Sequence, residues 1–365
     1  MNSREALIAL NMLPKIGPIR VRRLLENLGS AEAILKAPSS QLIQVQGIGP
    51  ETAQIISHWD QYIDLSAELN EASKRNITIL TQEDSDYPSP LRNMYDPPLA
   101  LYIWGEIEKN DKHAIAVVGS RRTTHYGQHA ANKLTSELAR SGFTIISGLA
   151  RGIDTFAHQA ALDAKGRTIA ILGSGLAQLY PPQNMHLAER IADGNGAIIS
   201  EFPLHTAPDK KTFPMRNRIV AAWSSAILVC ECPQWSGSII TANLGAEMGK
   251  TIYAVPGPID RPTSAGCNQL IRDGATLVSS SHDILEDFET LPLHPQLEIQ
   301  PDSTPTPELD PTEQQILQVL SKDESLIDTI VERTQLPVPI VISTLLKLEM
   351  KRLILQLPGA RYILR

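Results

Sequence analysis

Five short turns along this chain combine glycine, serine and charged residues. They are Gly119-Ser120-Arg121-Arg122, Ser147-Gly148-Leu149-Ala150-Arg151-Gly152-Ile153-Asp154, Gly173-Ser174-Gly175, Ser200-Glu201-Phe202-Pro203 and Pro233-Gln234-Trp235-Ser236-Gly237-Ser238. Glycine lets a backbone approach a ligand, serine offers a hydroxyl donor, and a helix starting at such a turn adds partial positive charge. Together these suit a phosphate or another anion. Beside Arg121, Arg122 and Arg151, a basic run supplies Lys210, Lys211, Arg216, Asn217 and Arg218 around one aromatic, Phe213. If the loop before Arg216 returns to the same edge, the result is a concentrated cationic groove, as a nucleic-acid backbone requires. Bases would then need stacking surfaces, for which Phe202, Phe213, Tyr180, Trp223 and Trp235 are the candidates. Phe213 is the first choice, with a core role before Pro214 as its alternative. Some of the arginines are expected to pair with Asp154, Glu201 or Glu231 inside the fold.

Several other chemistries lack their residues. A dinucleotide site wants Gly-x-Gly-x-x-Gly after its first strand and an acid ending the second, whereas here the turns read Gly119-Ser120-Arg121 and Ser147. Gly245 to Thr251 imitates the end of a phosphate-binding ATPase loop, but Leu244 stands at its first glycine and it runs from helix into strand. Neither a Gly-x-Ser-x-Gly elbow nor an ordered Cys, His and Asp set supports nucleophilic catalysis. His158 fits helix packing or capping. Nine scattered histidines and the isolated Cys230 and Cys232 pair leave no metal expected, and no cofactor.

Those turns need strands to hold them. Ile115–Val118, Thr144–Ile146, Thr168–Leu172, Ala197–Ile199, Ala226–Val229 and Thr251–Val255 are apolar on both faces, as buried parallel strands are. Helical periods lie between them at Ala130–Arg140, Thr155–Ala164 and Thr241–Met248. The alternation predicts a doubly wound α/β sheet over residues 77–289, where ligands bind at the carboxyl ends of strands. Before it, residues 1–76 carry a weak repeat: Ile16-Gly17-Pro18 leads into one helix and Gly47-Ile48-Gly49-Pro50 into another. This is similar to the helix-hairpin-helix unit, which offers backbone N–H groups to a phosphate. A glycine-capped turn with a structural or docking role is the other reading, and the segment is net neutral.

After the body, residues 290–309 hold five prolines and no Lys or Arg, the composition of an extended linker. Residues 310–365 read as helices at Thr312–Leu320, Leu326–Thr334 and Pro337–Met350, then two strands about Pro358-Gly359, a winged-helix pattern. Its third helix carries little basic charge, and the segment has seven basic and seven acidic residues. Protein contact is therefore favoured over duplex reading, with weak DNA contact left open. The whole chain of 365 residues has 33 basic and 40 acidic side chains, so nucleic-acid binding must come from a local patch. Three cysteines give no disulfide framework and point to a reducing compartment. Absent a leader-like N-terminus, and with the longest apolar run, Ile219–Cys230, well short of about 18 residues, a cytoplasmic protein without a membrane span is expected.

The ordered set Gly119-Ser120-Arg121, Ser147 to Asp154 with Ala157-His158, Tyr180-Pro181, Ser200 to Pro203, Phe213 to Ile219, Ser236 to Ala242, Val255-Pro256-Gly257, and Gly266-Cys267-Asn268 with Leu270-Ile271 and Gly274-Ala275 closely resembles the DNA-processing protein A family, also called DprA or Smf. The match spans about residues 85–280, and the flanking modules fit its three-part members. The resemblance implies an extended Rossmann-like fold and a non-enzymatic, homodimeric mediator that binds single-stranded DNA and loads RecA during natural transformation. It implies DNA contact by Arg121, with Gly119, Ser120, Arg122, Ser147, Gly148, Arg151, Lys210, Lys211, Phe213, Arg216, Asn217, Arg218, Gly237, Ser238 and Thr241 around it. The dimer or RecA surface would lie near Asn268, Leu270, Ile271 and Leu277. The chain departs from the pattern at Pro182, where some members carry a basic residue, so that phosphate contact is supplied elsewhere or absent. A rival reading is a hydrolase acting on nucleotide-like small molecules, a phosphoribohydrolase built on the same kind of sheet, with Gly237 to Thr241 and Glu247 in its site. The Pro-Gly-Gly-x-Gly-Thr loop of such enzymes is missing.

Overall fold

The computed structural model describes residues 1–288, 309–320, 325–351, 353–357 and 359–364. The linker expected at 290–309 lies outside these except for Leu309, as does Pro358 of the expected wing turn. Two compact units emerge, Met1–Leu297 and Glu298–Arg365.

The first unit opens with helices α1 (Ser3–Met12), α2 (Pro18–Leu28), α3 (Ala31–Lys36), α4 (Ser39–Leu42), α5 (Pro50–Ser57) and α6 (Leu65–Lys74). Asn2 and Glu5 form a capping box at the start of α1, satisfying two N–H groups reciprocally. Helices α2 and α5 begin alike, with glycine at the cap and proline at the first helical position, and neither has a side-chain cap. Proline costs nothing there because its missing N–H would have had no intrahelical partner. This is the tandem arrangement the Gly-Pro repeat predicts. Leu10, Leu24, Ile34, Leu42 and Ile56 fill its core. The helical segment is not insulated from the sheet that succeeds it in the chain, since Ile8 and Ala72 share an apolar cluster with Ile79, Tyr102 and Leu204.

That sheet has nine strands: β1 (Ile77–Thr81), β2 (Ala100–Gly105), β3 (Ala114–Val118), β4 (Thr144–Ser147), β5 (Thr168–Leu172), β6 (Gly196–Ser200), β7 (Ala226–Val229), β8 (Thr251–Ala254) and β9 (Thr276–Leu277). Their spatial order is β1-β2-β6-β5-β4-β3-β7-β8-β9. Strands β3 to β9 pair in parallel, while β1 and β2 form an antiparallel edge. Its helices are α7 (Ser89–Arg92), α8 (His125–Arg140), α9 (Ile153–Asp163), α10 (Met185–Ala192), α11 (Thr212–Trp223), α12 (Gly237–Glu247), α13 (Ala265–Arg272) and α14 (His282–Leu285). Period-two alternation splits β3 between two cores. Ala114, Ala116 and Val118 pack with Trp223 and Ala242, while Ile115 and Val117 pack with Leu134, Leu138, Ala157 and Ala161. The sheet is therefore doubly wound, and its order reverses between β3 and β7.

The second unit contains α15 (Pro311–Val319), β10 (Ser325–Leu326), α16 (Ile327–Thr334), α17 (Val338–Met350), β11 (Ile354–Leu357) and β12 (Arg361–Leu364). Asp310 and Glu313 make its opening capping box. Ile316, Ile330, Val341, Leu345, Leu348 and Ile354 form the core of this winged helix. On the other side of α17, Ile340, Ile342, Leu346 and Met350 are exposed. Among the described residues no helix is long and apolar enough to cross a membrane.

Candidate nucleic-acid interface

Where strand order reverses, the helices on either side diverge and leave a crevice at the carboxyl ends of the strands. Here that crevice is an open cleft of about 880 Å³ beyond β3 and β7. Its walls are Gly119, Ser120, Arg121, Arg122 and Thr123 after β3, Gly148, Ala150 and Asp154 after β4, Lys210 before α11, Phe213, Arg216 and Asn217 on α11, and Trp235, Ser236, Gly237, Ser238, Ile240 and Thr241 at the start of α12. Thr263, between β8 and α13, closes one side.

The first turn is pinned from three directions. The Ser120 amide donates to Glu231 O at 2.6 Å, Ser120 O accepts from the Ile153 amide at 3.1 Å, and Ser120 Oγ accepts from the Arg122 amide at 3.0 Å. A Cβ at Gly119 would come within 2.8 Å of Glu231 O, and Gly152, at φ 81°, packs directly on the Ser120-Arg121 backbone. Arg121 and Arg122 are left exposed above this fixed turn. The Arg121 guanidinium lies 5.2 Å from the Phe213 ring centroid, and Tyr180 stands 6.0 Å from the same ring. A cation over an aromatic face, beside a second ring, can take a phosphate and a base in adjacent positions.

Arg216 is the buried cation of the cleft. Gly148 has no room for a side chain because the Arg216 guanidinium occupies that space. Arg216 donates to Ile171 O, but its Nε has no partner. Burial pulls its pKa down to about 10, while the nearby Asp154 opposes that shift. Burial pushes the Asp154 carboxyl up, against the pull of Arg216 and the Gly148 and Ala150 amides that donate to it at 3.1 and 3.3 Å. Opposite, Ser236 caps α12 by accepting from the Ser238 amide at 3.3 Å, and Asn217 Nδ2 donates to Gly237 O at 3.4 Å. The N-terminal dipole of α12 thus faces the same space as Arg121 and Arg216.

The other expected residues lie elsewhere. Ser147 is buried and donates to Val117 O at 2.6 Å, and Arg151 and Lys211 are exposed but do not line the cleft. Arg218 is buried on the far side of α11, ion-paired with Glu201 and, at 3.2 Å, with Asp96. The run Phe213–Arg218 is not loop but helix, which is why alternate turns of it face opposite ways. Glu231 is satisfied by Thr124, whose amide and hydroxyl donate to it at 2.9 and 2.8 Å, and not by an arginine. Trp223, a stacking candidate in the sequence, is in the core with its indole N–H on Asp111 O at 2.9 Å, and Phe202 does not line the cleft. Trp235 does, and is 91% exposed. Thr123, Ile240 and Thr263 had no distinguishing sequence signal beyond standing next to strand ends and helix starts. On the sheet edge, Leu270 packs into the core, Ile271 lies against it, and Asn268 is engaged with Gly257 through both amide atoms at 3.1 and 2.9 Å. Leu277, on edge strand β9, is exposed. Among the described residues no cluster of His, Cys, Asp and Glu could hold a metal. His158 is core, its Nδ1 2.7 Å from Thr168 Oγ1.

Comparison with known proteins places this geometry. Residues 78–289 match the family model of DNA recombination-mediator protein A, residues 300–360 the DprA winged-helix domain, and residues 7–57 a SAM-like tandem helix-hairpin-helix. A protein Smf of Synechocystis is 34% identical over 394 aligned residues, covering 99% of both chains. Protein Smf of Escherichia coli is 38% identical, covering 80% of this chain and 78% of its own. Among solved structures, DNA processing protein A from Streptococcus pneumoniae superposes with a TM-score of 0.68 at 32% identity, over 79% of this chain and 98% of that one. Another, described for its single-stranded DNA binding mode, is DNA processing protein A from Helicobacter pylori, with a TM-score of 0.53 at 30% identity over 59% of this chain and 97% of that one.

Proposed function

Because this chain belongs to the DNA recombination-mediator protein A family, known as DprA or Smf, we propose that it binds single-stranded DNA, protects incoming strands and loads RecA onto them during natural transformation, without catalysing a reaction. The observation that carries this reading is the cleft at the β3/β7 reversal, where Arg121, stacked on Phe213, and the buried Arg216 face the start of α12. Such a site neutralises phosphates and stacks bases without reading their edges, which is the requirement for sequence-blind single-strand binding. The module boundaries at 76 and 289 follow from the same reading, with the central body as the DNA-binding and dimer-forming part. The short edge strand β9 and exposed Leu277 favour a homodimer formed along that edge, and the cytoplasm is where RecA would be met. The apolar outer face of α17 favours protein contact by the winged helix.

The rival hydrolase would use Glu247. That residue is exposed at the last turn of α12, about 15 Å along the helix from its cleft-lining start at 1.5 Å per residue. A nucleoside monophosphate incubated with the protein is expected to release no free base; turnover abolished by Glu247→Gln would reinstate the enzyme. The direct test measures binding of a labelled oligonucleotide, single-stranded and duplex, to the wild type and to Arg121→Ala, with circular dichroism on both proteins. Single-strand preference in the wild type, with about tenfold or greater loss in the folded variant, is the expected result. Equal binding by both proteins would remove the DNA from this cleft.

A further inference from the structure

Cys232 and Cys267 lie side by side behind the cleft wall. Both are fully buried, and their Sγ atoms are 3.7 Å apart. Cys230 faces the opposite apolar cluster and takes no part in this contact. The two backbones are as close as the side chains: the Gly266 amide donates to Cys232 O at 2.9 Å, and a Cβ at Gly266 would stand 2.6 Å from Cys232 Sγ. A disulfide needs its sulfurs about 2.05 Å apart, so bonding requires an approach of about 1.7 Å from a pair already in contact. Cys232 opens the turn that runs through Trp235 and Ser236 into α12, whereas Cys267 sits in α13, just after the cleft residue Thr263.

We propose that Cys232 and Cys267 are a redox-active dithiol, oxidised by hydrogen peroxide to a disulfide that shifts the α12 end of the cleft and weakens its hold on single-stranded DNA. The two thiols are unequal. Hydrogen bonds from Cys267 and Ser238 hold the Cys232 thiol below its ordinary range, while its bond to Cys232 and burial hold Cys267 above. Cys232 is therefore the one that ionises and attacks, and Cys267 resolves. The Cys232 thiolate attacks one peroxide oxygen, the O–O bond breaks, and the departing hydroxide takes a proton to become water. Cys267 sulfur then attacks the sulfenic sulfur of Cys232. The S–O bond breaks, and the leaving hydroxide carries off the Cys267 proton as a second water. Two thiols lose two electrons and peroxide gains them. A water-sized oxidant suits sulfurs that larger disulfides cannot reach, and Ser238 touches both Cys232 and the cleft.

Disulfide closure draws the Cys232-Pro233 backbone toward α13 and moves the Ser236 to Ser238 amides off the phosphate position. This consequence rests on the DNA-binding reading; formation of the bond does not. The test treats the full chain with hydrogen peroxide, removes the oxidant with catalase, and follows intact mass, thiol content after unfolding, a peptide map and oligonucleotide affinity. Expected are a loss of about 2 Da and a fall from three thiols to one. The map should join the Cys232 and Cys267 peptides, and affinity should weaken about fivefold, the loss of one charge-assisted contact, with recovery on reduction. Cys267→Ala should keep its affinity through the same treatment; if it does not fold, the oxidation and re-reduction cycle of the wild type carries the comparison. Three thiols after treatment, a bond to Cys230, oxygen added to either sulfur without a bond, or a Cys232–Cys267 bond with unchanged affinity would overturn the proposal. Failure of the reduced protein to bind single strands strikes the DNA reading instead, and the mass and peptide map still judge the dithiol by themselves.

Discussion

Two arginines two positions apart on α11 illustrate how position on a helix, and not residue type, assigns a role. Arg216 lines the cleft with an Nε free for an anion, whereas Arg218 is spent on Glu201 and Asp96. Removing a partner from a buried ion pair leaves an uncompensated charge and costs about 3–5 kcal/mol, while an exposed pair costs far less. Arg218→Met should therefore lower stability by about 3 kcal/mol in urea denaturation and leave single-strand affinity of the folded protein within about twofold. The opposite pattern, full stability with lost binding, would put Arg218 back among the DNA contacts. The basic run could be recognised from sequence, but its division could not while it was read as loop. Taken as helix, Phe213, Arg216, Asn217 and Val220 fall at i, i+3, i+4 and i+7, the single face that meets the cleft. Trp223 lies beyond that face in the core, which is why its aromatic character misled.

At the scale of elements, the strands that carry the site were legible because parallel strands buried on both faces must be apolar throughout, as Ile115–Val118 and Ala226–Val229 are. Strands β1 and β2 escaped because an antiparallel edge alternates and is shorter on signal, and two-residue β9 has no period at all. Strand order, and with it the reversal that makes the cleft, depends on long-range pairing that no local pattern encodes. A buried histidine reports on how firmly the central elements hold. His158 on α9 binds Thr168 on β5, and burial, aided by the Arg216 charge, lowers its pKa to about 3. Its ordinary value is 6.5, so between pH 6.5 and 3 the unfolded chain binds a proton that the native state refuses. Stability from this group is complete above pH 6.5 and is lost as pH falls toward 3. At pH 5 the loss is about 2 kcal/mol, at about 1.4 kcal/mol per pH unit. Denaturation midpoints of the wild type should fall over this range, and His158→Gln should show a shallower decline; parallel curves would mean the imidazole ionises in place.

For the whole molecule, a net charge of -7 and an expected polyanionic ligand are opposed unless the cations are gathered. Arg121, Arg122, Lys210 and Arg216 all line one cleft of the first unit, and that gathering resolves the conflict. Binding dominated by phosphate neutralisation has a recognisable signature, since each neutralised phosphate on a single strand contributes about -0.7 to the slope of log affinity against log salt. Three or four contacts from this cleft give a slope of about -2 to -3. The winged helix, with balanced charge and an apolar outer face on α17, should add nothing to that slope. A chain ending at residue 288 contains the entire described cleft and all three apolar clusters around it. It should bind a mixed-sequence oligonucleotide with the same slope as the full chain and an affinity within about threefold. A markedly flatter slope in the shortened chain would transfer part of the phosphate contact to the winged helix. A flat response in both would mean that stacking on Phe213 and Trp235, not charge, carries the strand.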